Sequence, residues 1–473
     1  MSGNLYTRLL RGFPADRARP CFLLAGGRSL SYGWLENEAG RTAAYLQAKG
    51  VRPGDRVAIR VEKSAEAVVV YLAALMSGAV FVPLNPAYTD DELAYFLKDA
   101  EPLVYITDAE AFVGQAASYA ALENAVTRDG EDLASIIYTS GTTGRSKGAM
   151  LTHENLYENA AALCDLWRFS SSDVLLHALP VFHVHGLFVA LHCALLSGCP
   201  MVWLPRFSEG EVLHELQRAT VMMGVPTFYT RLLATPSLTR EAIANVRLFV
   251  SGSAPLLTTT FAEFEERTGH RILERYGMSE AVIITSNPLD GERIPGSVGY
   301  PLPGVELRIG GGEETGVIEI RGPSVFSGYW RMPEKTREEF TPDGFFITGD
   351  IGRCDPDGRV YISGRAKDLI ISGGFNVYPK EVENILDEIP GISESAVIGL
   401  PHPDFGEGVC ALVIGTGEEA VLISECRKRL AAYKLPKKIL FVDAFPRNAM
   451  GKVQKSVLRE RYAGLFGDAR LRP

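Results

Sequence analysis

A chain of 473 residues holds two to four compact units at ~150 residues each, and its 46% hydrophobic and 22% charged composition buries large cores without metal or disulfide staples. The formal net charge of −9, from 48 basic and 57 acidic residues, argues against broad nucleic-acid or anionic-membrane binding, which needs basic surfaces, but not against small anions held by a few focused cations. Seven scattered cysteines with no CxxC pair, a start from Met1 to Phe13 without a signal-peptide core, and no apolar run of the ~20 residues that span a bilayer predict a cytoplasmic protein with free thiols.

Strand-like and helix-like segments alternate through most of the chain, which predicts an α/β architecture. Glu36 to Lys49 reads as an amphipathic helix closed by Gly50, and Arg56 to Val61 as a strand. Ala65 to Met76 is a helix that stops at Gly78 and leads into the apolar strand Ala79 to Leu84. A buried strand, Ala134 to Tyr138, follows. From about Gly299 the pattern changes to short β-like pieces such as Val317 to Arg321 and Arg359 to Ile362, separated by Gly, Pro and Asp turns. Helix and strand patterns resume after Arg365, over enough residues for a small separate domain.

The strongest local signal is Tyr138-Thr-Ser-Gly-Thr-Thr-Gly-Arg-Ser-Lys-Gly148, directly after a hydrophobic strand. Gly141 and Gly144 let backbone approach an anion closely, hydroxyls at Thr139, Ser140, Thr142 and Thr143 can surround phosphate oxygens, and Lys147 adds charge. It is not a Walker A loop, because Lys147 is followed by Gly148 rather than Ser or Thr, and this disfavours a P-loop kinase. Four further signatures follow it before the C-terminal one: Ser251-Gly-Ser-Ala-Pro255, Tyr276-Gly-Met-Ser-Glu280, Thr348-Gly-Asp350 and Gly364-Arg365-Ala-Lys367-Asp368. Pro446-Arg-Asn-Ala-Met-Gly451-Lys452 closes the series.

In this order the motifs resemble the adenylate-forming superfamily of acyl-CoA synthetases, peptide-synthetase adenylation domains and luciferases, over essentially the whole chain. The resemblance implies a large multi-subdomain adenylate-forming N-terminal domain, residues 1–366, which binds ATP and the acid. It also implies a small mobile α+β C-terminal domain, residues 367–473, pivoting near Lys367. ATP, Mg²⁺ and coenzyme A are the implied cofactor and co-substrates, with a carboxylic acid as partner and a monomer or weak homo-oligomer as the working form.

Residue by residue, the resemblance places Glu280 and Thr142 at the metal, Ser253, Ala254 and Pro255 along the adenine, and Tyr276 stacked on its ring. Glu274, Gly277, Met278 and Ser279 complete the nucleotide side, and Asp350 with Arg365 holds the ribose. Lys452 supplies the cation for attack on the α-phosphate. The Ser372, Gly373 and Gly374 turn is brought to the acyl-adenylate for thioester formation once the small domain rotates.

The acid side is read from Leu179-Pro-Val-Phe-His183-Val-His185, with His183 as a gate and His185 beside it, and from Arg231 and Arg275. A buried unpaired guanidinium is costly in an apolar fatty-acid tunnel, so two converging arginines suit a second carboxylate. For Arg231 the competing reading is a helix-surface arginine, and for Arg275 an ion pair with Glu274 or Glu280. The arrangement looks like the malonyl-CoA synthetases, with one departure: Ala281-Val-Ile283-Ile284 is more apolar than the Thr, Asn and Met of those relatives, which leaves malonate and a 2-alkylated malonate such as methylmalonate both open. With no carrier domain after Lys452, free CoA is preferred as acceptor; a non-catalytic nucleotide-binding relative would lack Lys452, Glu280 or the phosphate loop, and all are present.

Overall fold

The structure is a computed structural model that describes residues 3–139, 146–312, 314–448 and 451–467. Its first sheet runs in the order Val104–Ile106, Arg56–Ile59, Val80–Pro83, Leu133–Thr139 and Lys147–Thr152, the first four parallel and the last antiparallel. The helix Ala65–Met76 packs within this layer and is apolar all round because both of its faces are covered; only Glu66 escapes burial. Ser64 starts it by accepting from the backbone N–H of Ala67. The expected phosphate loop joins the antiparallel pair Leu133–Thr139 and Lys147–Thr152, registered Thr139 to Lys147, so the strand turns back into a strand rather than into a helix. Thr152 then caps the helix His153–Leu166 in a capping box with Asn155.

The large central sheet has thirteen strands. Six consecutive members are parallel: Leu273–Tyr276, Leu248–Ser251, Val221–Gly224, Leu175–His177, Met201–Trp203 and Pro20–Leu23. Parallel strands send their carboxyl ends to one edge, and ligands of open α/β sheets bind there. Tyr276, Ser251, Gly224, His177 and Trp203 therefore share one rim. Beyond Leu273–Tyr276 the sheet continues in antiparallel pieces through residue 365, where Phe346–Cys354 pairs with Val360–Arg365 and sets Asp350 opposite Arg365.

A separate five-stranded sheet is built from Ile370–Ser372, Phe375–Val377, Ile392–His402, Gly406–Gly415 and Lys438–Phe441. One face carries Val382, Leu386, Val397, Val413 and Leu422, and the other Ile398, Leu400, Leu412, Phe445 and Leu458. The helices Pro379–Asp387 and Glu419–Arg427 contribute to the first cluster and Lys455–Tyr462 to the second, an α+β layer arrangement. Among the described residues no helix is long and apolar enough to cross a membrane, and no group of three or more His, Cys, Asp or Glu could hold a metal.

Gly299 is a tight backbone crossing near the rim. It has φ of +80°, and a Cβ there would lie 2.1 Å from the carbonyl carbon and oxygen of Ser286. Gly299→Ala is expected to cost roughly 2 kcal/mol or more, as both the strained φ and the overlap must be relieved. A urea melt unchanged from that of the parent would refute this account of the strand pair.

Candidate active site

The site lies along the carboxyl rim of the central sheet, and charge neighbours connect it end to end. At the phosphate end Lys147 is buried; its ammonium lies 3.1 Å from Glu339 and 4.3 Å from the centre of the Tyr329 ring. Ser140, Gly141, Thr142, Thr143 and Gly144 lie outside the described residues. Thr139 is described, with its hydroxyl 3.4 Å from the Lys147 carbonyl. The Tyr329 hydroxyl donates to Glu280 at 3.1 Å. Burial raises the Glu280 carboxyl above its ordinary range, and Arg365 and Lys147 pull it back only partly.

Next along the rim are Asp350 and Arg365, joined at 2.7 Å across their strand pair. Tyr276 donates its hydroxyl to the other Asp350 oxygen at 2.5 Å, which holds the phenol ring upright at the end of its strand. Gly277 follows because nothing larger fits: a Cβ would meet the Val282 carbonyl at 2.0 Å. Met278 and Ser279 continue the half-buried turn to Glu280. Opposite them Ser253 has φ of +71°, a left-handed residue in a tight turn, with Ala254 half-buried and Pro255 exposed.

Glu274 is buried, accepts from the Leu256 N–H at 3.0 Å through one oxygen, and leaves the other without a partner. Burial pushes its carboxyl up to about 7.

Lys452 reaches this rim from the small domain. Its hairpin is tied by mutual bonds with Asn448, the Lys452 N–H donating to Asn448 Oδ1 and the Asn448 N–H to the Lys452 carbonyl, each at 3.0 Å. Arg447 donates to the Gly451 carbonyl at 2.8 Å and pairs with Glu394, which anchors the hairpin to the small sheet. Gly451 (φ +73°) rests against Thr227 of the large domain, a Cβ there lying 3.1 Å from Thr227 Oγ1. Although solvent reaches Lys452, protein surrounds its ammonium closely; desolvation, then the Arg365 cation, lower it to about 8. Lys367 is exposed in the short turn Ala366–Asp368 between the two sheets, and Asp368 pairs with Arg459 of the last helix.

The far end of the rim holds His183, His185 and Arg275. Burial and then the Arg275 charge depress both histidines, His183 to about 4, with Lys452 adding to the effect at His183. His185 Nδ1 lies 3.3 Å from Ser253 Oγ, while its Nε2 is buried with no partner. Arg275 is 4% exposed and its Nε and Nη2 are unbonded, so it pairs with neither Glu274 nor Glu280. Burial alone lowers its guanidinium to about 9, still a cation at neutral pH. The head group lies flat over Gly252, where a Cβ would sit 2.3 Å from Cζ, so this glycine makes room for a cation.

One expectation on this side needs correction. Arg231 does not converge with Arg275: it lies on the surface of the helix Pro226–Leu233, half-exposed, bound to Glu209 at 2.5 Å and stacked over Phe207. A solvated carboxylate and a ring face satisfy it, so nothing draws it inward. Ile283 is buried in the main core and gives its carbonyl to Asn159 Nδ2 at 2.7 Å; it can shape the pocket only as an apolar wall. The Ser372–Gly374 segment is a two-residue hairpin turn with φ of +60° at Gly373 and +83° at Gly374, bonded within the small domain to Phe405. Tyr329 and Glu339, which position Glu280 and Lys147, sit in no recognisable motif and are found only through their contacts.

A family model described as AMP-binding enzyme matches residues 10–330. The chain belongs to this family. A second model, AMP-binding enzyme C-terminal domain, matches residues 381–452. The malonate–CoA ligase of Arabidopsis thaliana is 35% identical over 92% of this chain and 85% of its own length. A long-chain-fatty-acid–CoA ligase of Bacillus subtilis is 33% identical over 92% and 90%. Among solved structures, ATP-bound MatB from Rhodopseudomonas palustris superposes with a TM-score of 0.95 at 49% identity, covering 98% of this chain and 100% of that one.

The Glu274 carboxyl provides a test of the rim's burial. Between its ordinary range and about 7 the folded chain keeps a proton that the unfolded chain has released, so stability falls as pH rises through that interval. Glu274→Gln removes this penalty, and the variant's thermal stability relative to the parent should rise between about pH 5 and about pH 8. A difference independent of pH would show that Glu274 is not desolvated.

Proposed function

We propose that this enzyme joins a short dicarboxylic acid, malonate or a 2-alkylated malonate, to coenzyme A at the expense of ATP. The observation that carries this reading is Arg275: a buried cation at the acid end with two nitrogens unbonded. A guanidinium without a partner in a dry site costs several kcal/mol, and a ligand carboxylate removes that cost through charge-assisted bonds worth ~1.5–3 kcal/mol each. An apolar fatty acyl tail would leave it unpaired. The apolar run Ala281 to Ile284 is fully buried, and it suits a carbon substituent between the two carboxylates better than it suits a polar group.

In the first half-reaction a carboxylate oxygen of the acid attacks the α-phosphorus of ATP and pyrophosphate leaves. Lys452, at the junction between the ribose pair and His183, neutralises the charge that builds where two anions meet. Asp350 and Arg365 orient the sugar, and Lys147, released from Glu339, meets the phosphates. Glu280, an acceptor with one hydrogen-bond partner and a carboxyl that burial disfavours ionising, fits a site completed by a cation; with Thr142 it would hold Mg²⁺, which when bound supplies neutralising charge for the phosphates. In the second half-reaction the CoA thiolate attacks the acyl carbon and AMP leaves, after rotation about Lys367 exchanges Lys452 for the Ser372–Gly374 turn. The mixed anhydride is already activated, so positioning suffices without a dedicated base. Free cysteines fit a reducing compartment, and we place the enzyme in the cytoplasm on that ground.

A CoA-thioester assay across malonate, methylmalonate, succinate, acetate and a medium-chain acid tests the substrate class. In the parent the dicarboxylates should lead, and Arg275→Ala should lower kcat/KM for malonate by ~10²-fold or more while leaving propionate within a few fold. A uniform loss over all acids would remove the second-carboxylate reading. Lys452→Ala should abolish ATP–pyrophosphate exchange yet still convert supplied acyl-adenylate to thioester. Equal loss of both half-reactions would contradict the division of labour between the domain orientations.

A further inference from the structure

One half-buried cation without a carboxylate partner among the described residues lies outside the machinery described so far. Lys63 precedes the helix Ala65–Met76 in the loop that leaves the strand Arg56–Ile59, and its ammonium reaches across to the central sheet. It lies 2.8 Å from His177 Nδ1, 2.7 Å from the His177 carbonyl and 2.7 Å from the Leu204 carbonyl, with the Trp203 ring centre 4.2 Å away. No carboxylate of the described residues pairs with it. An ammonium turned into the protein onto three neutral acceptors, without a counter-ion, is retained where the surrounding structure needs it.

The hydrogen bonds assign every proton in this cluster. Both carbonyls can only accept, so Lys63 gives them two of its N–H groups. His177 Nε2 lies 2.9 Å from the Gly186 carbonyl, another acceptor, and must therefore carry the ring proton. A neutral ring then has a bare Nδ1, and Lys63 donates its third N–H there. Burial pushes the Lys63 ammonium downward, and three acceptors with the Trp203 face are what retain its proton.

The far end of this relay is the acid pocket. Gly186 lies at the start of the π-helical turn His185–Ala190, a rare element that concentrates at functional sites. The Gly186 and Leu187 N–H groups both bond the His183 carbonyl, at 3.1 and 2.9 Å, and the His185 N–H bonds His183 Nδ1 at 3.2 Å. A Cβ at Gly186 would meet the Pro180 carbonyl at 2.0 Å, so this turn has no room to shift. Val61, Ala67 and Val68, on either side of Lys63, line one small apolar crevice with Val181, Phe182 and Leu187.

We infer that Lys63 is a positioning residue for acid binding: through His177 it fixes the tautomer and the turn that present His183 and His185 to the substrate. This rests on the reading of that pocket as the acid site. Lys63→Met keeps the stem and deletes the donors, so KM for the acid should rise ~10-fold or more while KM for ATP stays within about twofold. Equal rises in both would mark a merely structural role and overturn the proposal. ¹⁵N-histidine spectra supply a readout without substrate: in the parent, His177 should show a bare Nδ1 and a protonated Nε2, and Lys63→Met should mix the tautomers. A parent His177 protonated on Nδ1 overturns the proposal outright, whichever acid the enzyme takes and whether or not the variant folds.

Discussion

The site depends on holding positive charge against the protein without pairing it directly to a protein carboxylate. Arg275 is dry with two nitrogens unbonded, Lys63 is held by neutral acceptors, and Lys452 sits where Arg365 repels it. Each arrangement is unfavourable in the unliganded chain, by an amount that a rigid scaffold must offset elsewhere. A preorganised field needs no reorientation when anions arrive, and in a low-dielectric cleft it acts on them more strongly than solvated charges would. The large buried core around Ala65–Met76 and the parallel strands provides that scaffold.

Paired cations in the same molecule define the contrast. Arg231 with Glu209, Arg447 with Glu394 and Arg459 with Asp368 are neutralised within the protein, and two of these pairs brace the small domain. Lys147 is intermediate: it is buried, yet Glu339 pairs with it. The distinction between a spent and an unspent cation is thus a matter of which carboxylates the fold brings near. It bears directly on substrate choice, since an unspent guanidinium asks for a carboxylate and penalises an apolar tail.

Lys452 stands on a hairpin tied to the small sheet by Arg447, and Gly451 beside it rests on Thr227 of the large domain. The chain passes between the two sheets in the few residues around Lys367.

The order of motifs from Tyr138 to Lys452 and the helix Ala65–Met76 were legible without a structure, because phosphate cradles, tight turns and all-apolar helices depend on local residue types. The family reading followed from the same motifs. Whether Arg275 or Arg231 remains free was not legible: the two carry identical side chains, and only the packing that buries one over Gly252 and gives the other Glu209 and Phe207 separates them. Nor could the chain's order reveal Lys63, whose partners are 114 and 141 residues away. Sequence by itself determined which groups were available to make adenylate and thioester; tertiary structure decided which of their charges stay unpaired, because burial and neighbouring carboxylates are set by the fold and not by the residue.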